Sequence, residues 1–376
     1  MGCIAGVIPA VPGADGINRP MLARRLVVVM LALAVAAGAA RDPAAELRSA
    51  VRAHLEQRGV VGCSIAIAEG GRVVFSEGFG YANLEARAPA TPETVYRLAS
   101  ISKPITAVAV LRLAEAGLVD LDADIRKYLP EFPDKGAVIT VRHILSHTSG
   151  IRHYRGNESL RNERFTGPIP ALAIFKDDPL EHPPGEQYTY STYGYTVLAA
   201  LIEKVTGKPY PDAMRHLVWE PAGMTATDVE DQRRIVLNRA AGYEASPDGG
   251  YLNSRQVDLS YKWGGGGLVS TVTDLCSFAG ALLEDRILSS EWRAKMWSRA
   301  RLSDGTEIPY GLGWGVTRYR GELLISHNGA QQGSRTSLWI LPERGVVIAV
   351  LTNYESHNVN DLINLVADTW LHSKTR

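Results

Sequence analysis

The segment VYRLASISKP, residues 95–104, contains an S-x-x-K pattern formed by Ser100 and Lys103, and this pattern occurs once in the chain. Helical apolar periodicity begins here, so the two side chains are predicted to lie one turn apart on the same helix face. An amine at that distance can activate the serine hydroxyl as a nucleophile, and the helix start favours a nearby oxyanion. An isolated S-x-x-K is more often a helix cap and a solvated lysine, so the rest of the chain decides between the two interpretations.

The bulk composition describes a globular chain. It has 376 residues, 45% of them hydrophobic and 21% charged, which suffices for a large core in one domain or in two intimately joined ones. Forty basic residues balance forty acidic residues, and no long run has a single sign. We therefore expect a small-molecule or peptide substrate and no nucleic-acid partner.

Residues 1–40 resemble an export leader. Arg24 and Arg25 precede an apolar run at 26–37, which is too short for a comfortable transmembrane helix, and small residues follow it. We expect translation to start at Met21 and the protein to be exported to the periplasm or secreted, with an uncleaved membrane anchor as the alternative. In a eukaryotic source, the same leader would indicate a mitochondrial transit peptide.

Cysteine and histidine spacing gives no sign of a disulfide or a metal. Cys63 lies in a strand-like run and Cys276 in a helical one, which favours two buried free thiols. His143 and His147 are four residues apart, but Ile144 stands where a zincin helix carries glutamate. We expect no metal and no organic cofactor. We interpret three polar residues as structural: His147, His153 and Asp274.

The periodicity predicts an α+β fold with one antiparallel five-stranded sheet, assembled from both ends of the chain and flanked by terminal helices. Strand patterns occur at 63–68, 72–79, 322–326, 336–341 and 346–351. The helical patterns at the two ends start after Asp42 and near Asn358. The catalytic domain would span 41–376, with an α/β part at about 41–120 and 262–376 and a mainly helical part at about 121–261.

A tyrosine-rich segment, YTYSTYGY at 188–195, directly precedes a helical pattern. Within it, the phenol of Tyr190 near a lysine ammonium can have its pKa lowered enough to act as a general base. Such a segment is more often a packed aromatic cluster, so on its own it favours no chemistry.

A third segment, HNGA at 327–330, closes a predicted strand. Gly329 would let the backbone approach a substrate closely. The backbone N–H of Ala330 can complete an oxyanion hole together with that of Ser100.

The order S-x-x-K, Y-S-T and H-N-G resembles the serine β-lactamase and penicillin-binding-protein family, nearest its class C and low-molecular-weight DD-peptidase branch. Further motifs of that family follow in the same order, at LSHTSGI (145–151), WGGGG (263–267), STVTDL (270–275) and YGLGWG (310–315). The segments IRHY (151–154), FKDDPL (175–180) and YST (190–192) are similar to the mitochondrial serine β-lactamase-like subfamily, whose members are regarded as serine proteases.

The resemblance implies a role for each matching residue. Ser100 would be the nucleophile and Lys103 its proton acceptor or electrostatic activator, while Tyr190 would protonate the leaving group and help to activate the deacylating water. His327 stands where most β-lactamases hold a lysine that binds the substrate carboxylate, and Thr192 replaces an asparagine that contacts the substrate amide. Both departures favour peptide or ester hydrolysis over β-lactam hydrolysis.

Three functions follow as hypotheses. The leading one is a serine hydrolase that forms an acyl-enzyme with a peptide or ester substrate. The alternative among enzymes is a β-lactamase or DD-carboxypeptidase, acting on β-lactams or peptidoglycan stems. The alternative outside enzymes is a protein that binds peptidoglycan fragments or assembles into a homo-oligomer, although such proteins usually lose the serine or the lysine.

Overall fold

The structure is a computed structural model that describes residues 42–372. The leader expected at residues 1–40, with its start at Met21, lies outside them. Within the described residues, no helix combines the length and apolar character that crossing a membrane requires.

The described chain contains both strands and helices, from its first residues to its last. The strands are β1 Gly62–Glu69, β2 Arg72–Asn83, β3 Ala88–Pro89, β4 Tyr96–Arg97, β5 Asp228–Val229, β6 Tyr243–Ala245, β7 Tyr251–Asn253, β8 Leu268–Ser270, β9 Gly315–Tyr319, β10 Glu322–Gln331, β11 Ser334–Leu341 and β12 Val346–Thr352. The α-helices are α1 Pro43–Arg58, α2 Ser102–Glu115, α3 Val141–Leu145, α4 Pro168–Ala171, α5 Thr192–Thr206, α6 Tyr210–Met214, α7 Glu220–Ala222, α8 Trp263–Gly266, α9 Val272–Leu283, α10 Ser290–Met296 and α11 Val359–His372. The 3₁₀ turn Ala99–Ile101 leads into α2.

The main sheet is antiparallel and joins the two ends of the chain, as the sequence predicts. Its strands lie in the order β3-β2-β1-β12-β11-β10-β9. The central pair consists of the first and last strands, with Ile65 of β1 opposite Val350 of β12. The α+β class is therefore confirmed.

The predicted number of strands is wrong, because the sheet has seven strands in the described part of the chain, not five. Both additional strands are edge strands. Strand β3 has two residues, one of them Pro89, and is too short to show an alternating pattern. Strand β9 buries only Val316 fully, so its apolar alternation is weak. Strand β10 also continues to Gln331, so that the HNGA segment lies inside the strand.

Helices cover both faces of the sheet because the side chains of its central strands alternate. On β12, Ile348 belongs to the core cluster that contains residues of the terminal helices α1 and α11, whereas Val347 belongs to the cluster that contains residues of α9. Cys63 and Cys276 belong to these two separate core clusters, and both thiols are buried and free, as expected.

Strand β10 lies very close to the turn that precedes α2. A Cβ placed on Gly329 would lie 2.5 Å from the Leu98 carbonyl oxygen and 2.2 Å from Thr336 Oγ1. The Thr336 hydroxyl itself donates to the Leu98 carbonyl at 2.8 Å. The neighbour that requires glycine at position 329 is therefore the chain's own turn, and a side chain there would separate the sheet from α2.

We expect Gly329→Ala to lower the free energy of unfolding by about 1–3 kcal/mol, because overpacking forces the backbone to shift. Urea titration followed by circular dichroism measures this loss. Gly280→Ala is the control, since Gly280 is helical and the nearest atom to its added Cβ would be 3.8 Å away. That variant should keep or gain stability. Equal losses in both variants would contradict the close-contact explanation.

Candidate active site

Ser100 lies in the 3₁₀ turn immediately before α2, so the S-x-x-K spacing bridges a turn and a helix. The preceding residue, Ala99, has φ +49°, a left-handed conformation that costs a non-glycine residue about 1–2 kcal/mol. Neighbouring strands hold it in place. Leu98 donates its N–H to the Leu268 carbonyl of β8 at 2.9 Å, and its own carbonyl accepts from β11. The turn is thus fixed from both sides, as a nucleophile position requires.

Lys103 Nζ is buried and lies 3.1 Å from Ser100 Oγ, 3.1 Å from Thr192 Oγ1 and 2.5 Å from the Gly265 carbonyl oxygen. Burial lowers the pKa of Lys103 well below its usual value, and the charge of Lys262 lowers it further. A neutral amine has two N–H donors and one lone pair. The Gly265 carbonyl and the Thr192 hydroxyl can accept its two protons, which leaves the lone pair for the Ser100 O–H. This arrangement suits Lys103 as the acceptor of the serine proton.

Tyr190 lies beside the same amine, with its ring centroid 4.7 Å from Lys103 Nζ. Burial raises the pKa of the Tyr190 phenol, and hydrogen bonding with the Ser100 side chain opposes part of that rise. This rise in the pKa of Tyr190 is opposite to the lowering that the sequence predicts. The phenol is therefore neutral at pH 7, a state suited to donating a proton rather than accepting one.

Two histidines hold the backbone that carries Tyr190. His147 Nδ1 accepts from the Ser191 N–H at 3.1 Å, and His153 Nδ1 accepts from the Thr192 N–H at 3.2 Å. The His147 ring also lies 4.3 Å from the Tyr190 ring, centroid to centroid. Burial lowers the pKa of His147 well below its usual value and that of His153 to about 4, so both imidazoles stay neutral and can accept. Both act as structural supports of the site.

The glycine run before β8 packs against the helices that carry the site. A Cβ on Gly265 would lie 2.6 Å from the Thr192 carbonyl oxygen, and one on Gly264 would lie 2.8 Å from Thr106 Oγ1. These glycines let α8 approach α2 and α5, which brings the Gly265 carbonyl within reach of Lys103.

His327 lies on β10 with both ring nitrogens occupied. Its Nδ1 lies 2.7 Å from the Asn328 carbonyl, which can only accept, so Nε2 accepts from the Tyr310 hydroxyl at 3.0 Å. Burial lowers the pKa of His327 to about 3, so the ring is neutral. Asn328, Gly329 and Ala330 line the adjoining cavity instead. The oxyanion hole formed by Ala330 and the substrate contact by His327 stay predictions.

A cavity of about 430 Å³ opens at Ser100, and Tyr190, Thr192 and Ala330 also line it. This volume suits a small molecule or one or two residues of a peptide. The cavity contains a residue that sequence reasoning missed, Lys262, whose side chain is only 4% exposed. Its sequence signal was its place directly before the WGGGG motif. In residues 42–372, no group of three histidine, cysteine or acidic side chains is placed to hold a metal ion.

Comparison with known proteins identifies the family of the chain. Residues 47–368 match the family model described as Beta-lactamase. The chain is 31% identical over 413 residues to the mitochondrial serine beta-lactamase-like protein LACTB of Homo sapiens, and the match covers 81% of this chain and 75% of that protein.

Two solved structures share the fold. The octameric penicillin-binding protein homologue from Pyrococcus abyssi superposes with a TM-score of 0.76 at 29% identity, covering 88% of this chain and 77% of that one. The D-amino acid amidase from Ochrobactrum anthropi, complexed with D-phenylalanine, superposes with a TM-score of 0.79 at 25% identity, covering 89% of this chain and 100% of that one. The resemblance indicated by the order of the sequence motifs is confirmed: the chain belongs to the serine beta-lactamase and penicillin-binding-protein family, and it is similar to the mitochondrial serine beta-lactamase-like proteins of that family.

Proposed function

We propose that the protein is a serine hydrolase that cleaves amide or ester bonds of small peptide-like substrates through an acyl-enzyme on Ser100. The observation that carries the proposal is the 3.1 Å distance between Lys103 Nζ and Ser100 Oγ, at a lysine whose burial favours the neutral amine. Membership of a serine hydrolase family supports it. So does the D-amino acid amidase relative, which acts on an amide of a single amino acid by its name.

Acylation follows from the positions of three side chains. As Ser100 Oγ attacks the substrate carbonyl carbon, its proton passes to Lys103 Nζ, which lies in hydrogen-bonding range. The carbonyl oxygen becomes an oxyanion between the N–H groups of Ser100 and Ala330. When the tetrahedral intermediate collapses, the neutral phenol of Tyr190 donates its proton to the leaving amine or alkoxide. The proton on Lys103 then returns to the Tyr190 phenolate.

Deacylation uses the same groups in the reverse direction. A water molecule attacks the ester carbon, and its proton passes to the Tyr190 oxygen as the phenol gives its own proton to Lys103 Nζ, so that one proton is stored on Lys103. The same proton returns to Ser100 Oγ as the carbon–oxygen bond breaks, which restores the free enzyme and releases the acid. The chain's own side chains therefore balance every proton of the reaction.

A β-lactamase or DD-carboxypeptidase is the second candidate. One observation favours it: Arg335 lines the cavity and lies opposite Ala330 in the β10–β11 register, where its charge can attract a substrate carboxylate. One observation disfavours it, namely the neutral ring of His327, both of whose nitrogens already have hydrogen-bond partners.

We expect a chromogenic cephalosporin to be hydrolysed more slowly than a p-nitrophenyl ester, and kcat/KM for both substrates measures the order. The reverse order would favour the second candidate.

Two relatives suggest where this protein is located and how it assembles. The human relative is described as mitochondrial and the Pyrococcus abyssi homologue as octameric, and both properties belong to those proteins. For this chain we propose export, or mitochondrial import in a eukaryotic source, and a homo-oligomer. Cell fractionation and light scattering of the purified protein test these two points.

Ser100→Ala should abolish covalent labelling by a fluorophosphonate probe and reduce amide turnover by about 10³-fold or more, because no other group replaces the nucleophile. Intact-mass spectrometry measures the adduct, and circular dichroism verifies the fold. Ser303→Ala, at an exposed serine, is the matched control and should label like the wild-type protein. An adduct of wild-type stoichiometry on Ser100→Ala would refute the assignment.

Tyr190→Phe should separate substrates by their leaving group. Release of p-nitrophenolate needs no proton, so the pre-steady-state acylation rate with a p-nitrophenyl ester should change little. Amide cleavage needs a protonated amine and should slow by roughly 100-fold or more. Tyr188→Phe, at a tyrosine that is 40% exposed, is the control. Equal losses on ester and amide acylation would argue against Tyr190 as the proton donor.

A further inference from the structure

Lys262 is a buried lysine of the active-site cavity that the reaction described above does not use. Its side chain is 4% exposed and lines the same cavity as Ser100. Its Nζ lies 5.3 Å from the ring centroid of Tyr261 and 6.0 Å from that of Tyr154. Within residues 42–372, no carboxylate forms an ion pair with it, which is unusual for a buried ammonium.

The backbone fixes Lys262 relative to Lys103. The Gly265 N–H donates to the Lys262 carbonyl at 2.6 Å, and the Gly265 carbonyl accepts from Lys103 Nζ at 2.5 Å. The neighbouring Gly266 leaves room for the Lys262 stem, because a Cβ there would lie 3.1 Å from Lys262 Cδ and 3.3 Å from Cε. A single glycine turn therefore contacts both lysines, Lys262 at the cavity wall and Lys103 buried beside Ser100.

The ionisable groups around the two lysines supply no negative charge at neutral pH. Those that face Lys103, from the other elements packed on it, are His147, His153, Tyr190, Tyr195, His327 and Lys262. Those that face Lys262 are Arg97, His153, Tyr154, Tyr261 and Lys103. Two carboxylates lie near these groups, and each is paired with an arginine. Glu230 is paired with Arg97 at 3.3 Å, and Glu158, which acts on His153 and Tyr261, is paired with Arg152 at 2.7 Å. The ammonium groups of Lys103 and Lys262 would therefore repel each other without a counter-ion.

We propose that Lys262 is a positioning residue of the reaction, whose positive charge adds to burial in keeping the amine of Lys103 neutral and ready to accept the Ser100 proton. This role rests on the proposed function of Ser100 and Lys103. A like charge near a buried amine disfavours protonation of that amine, and this is an established way of activating a lysine.

The charge of Lys262 is expected to shift the pH profile of the reaction toward lower pH. Burial and the charge of Arg97 lower the pKa of Lys262 to about 7, so Lys262 is charged in the acidic range. In that range the charge opposes protonation of Lys103, which extends activity toward lower pH. Removing the charge raises the pKa of Lys103, so the acidic limb of the pH profile moves to higher pH. Above the pKa of Lys262 the wild-type protein has lost the charge as well, and the two profiles converge.

The test is the rate constant of fluorophosphonate labelling of Ser100 as a function of pH. Lys262→Met and Lys262→Gln should move the midpoint of the acidic limb upward by about one pH unit, which slows labelling about tenfold below both midpoints, and should keep the alkaline plateau. Lys262→Arg keeps the charge and should keep the wild-type midpoint or lower it. Lys208→Met, at an exposed lysine, is the control and should leave the profile unchanged.

The outcomes separate this role from the proposed function. A wild-type midpoint in both neutral variants would overturn the role of Lys262 even if the rates fell, because a packing defect lowers the rate at every pH. Circular dichroism identifies a variant that does not fold, and the midpoint measured for the other neutral variant then tests the role of Lys262. A wild-type protein that is not labelled at any pH would overturn the proposed function and, with it, this role.

Discussion

The contact of Lys103 with three partners is the constraint on which the rest of the site depends. A buried amine is costly unless each of its donors and its lone pair has a partner. The three partners come from the turn before α2, from the start of α5 and from the α8 turn, so these elements must keep fixed separations. Glycine at position 265 makes that separation possible, since any side chain would meet Thr192. The sheet then closes the site through β10, which contacts the same turn.

Burial, more than direct charge interaction, sets the proton positions in this site. The sequence suggested that a lysine ammonium would lower the pKa of Tyr190. In the structure burial acts on both groups: it favours the neutral amine of Lys103, which offers no charge to stabilise a phenolate, and it raises the pKa of the Tyr190 phenol. Desolvation favours the uncharged form of each group, which turns the amine into a base and leaves the phenol an acid. One physical cause thus assigns two opposite roles.

The sequence predicted the parts of the molecule that depend on local spacing. Ser100 and Lys103 are three residues apart, so any helical turn brings them together, and the long central strands show a clear apolar alternation. Tyr190 and Ala330 approach Ser100 only through the tertiary fold, and family resemblance rather than spacing suggested them. The one sequence signal for Lys262 was its place directly before the WGGGG motif, because a lysine with no partner in sequence otherwise resembles a solvated surface residue. The two missed edge strands were too short or too polar to produce a periodic pattern.

Burial also preserves the backbone geometry of the active site. His147 and His153 support the Tyr190 segment by accepting backbone N–H groups at Nδ1, and an imidazolium has no lone pair with which to accept. The same burial that keeps Lys103 neutral keeps both of these rings neutral. The base Lys103 and the Nδ1 acceptors that align the Tyr190 segment therefore depend on burial in the same region, and a change that exposes these groups affects chemistry and geometry at the same time.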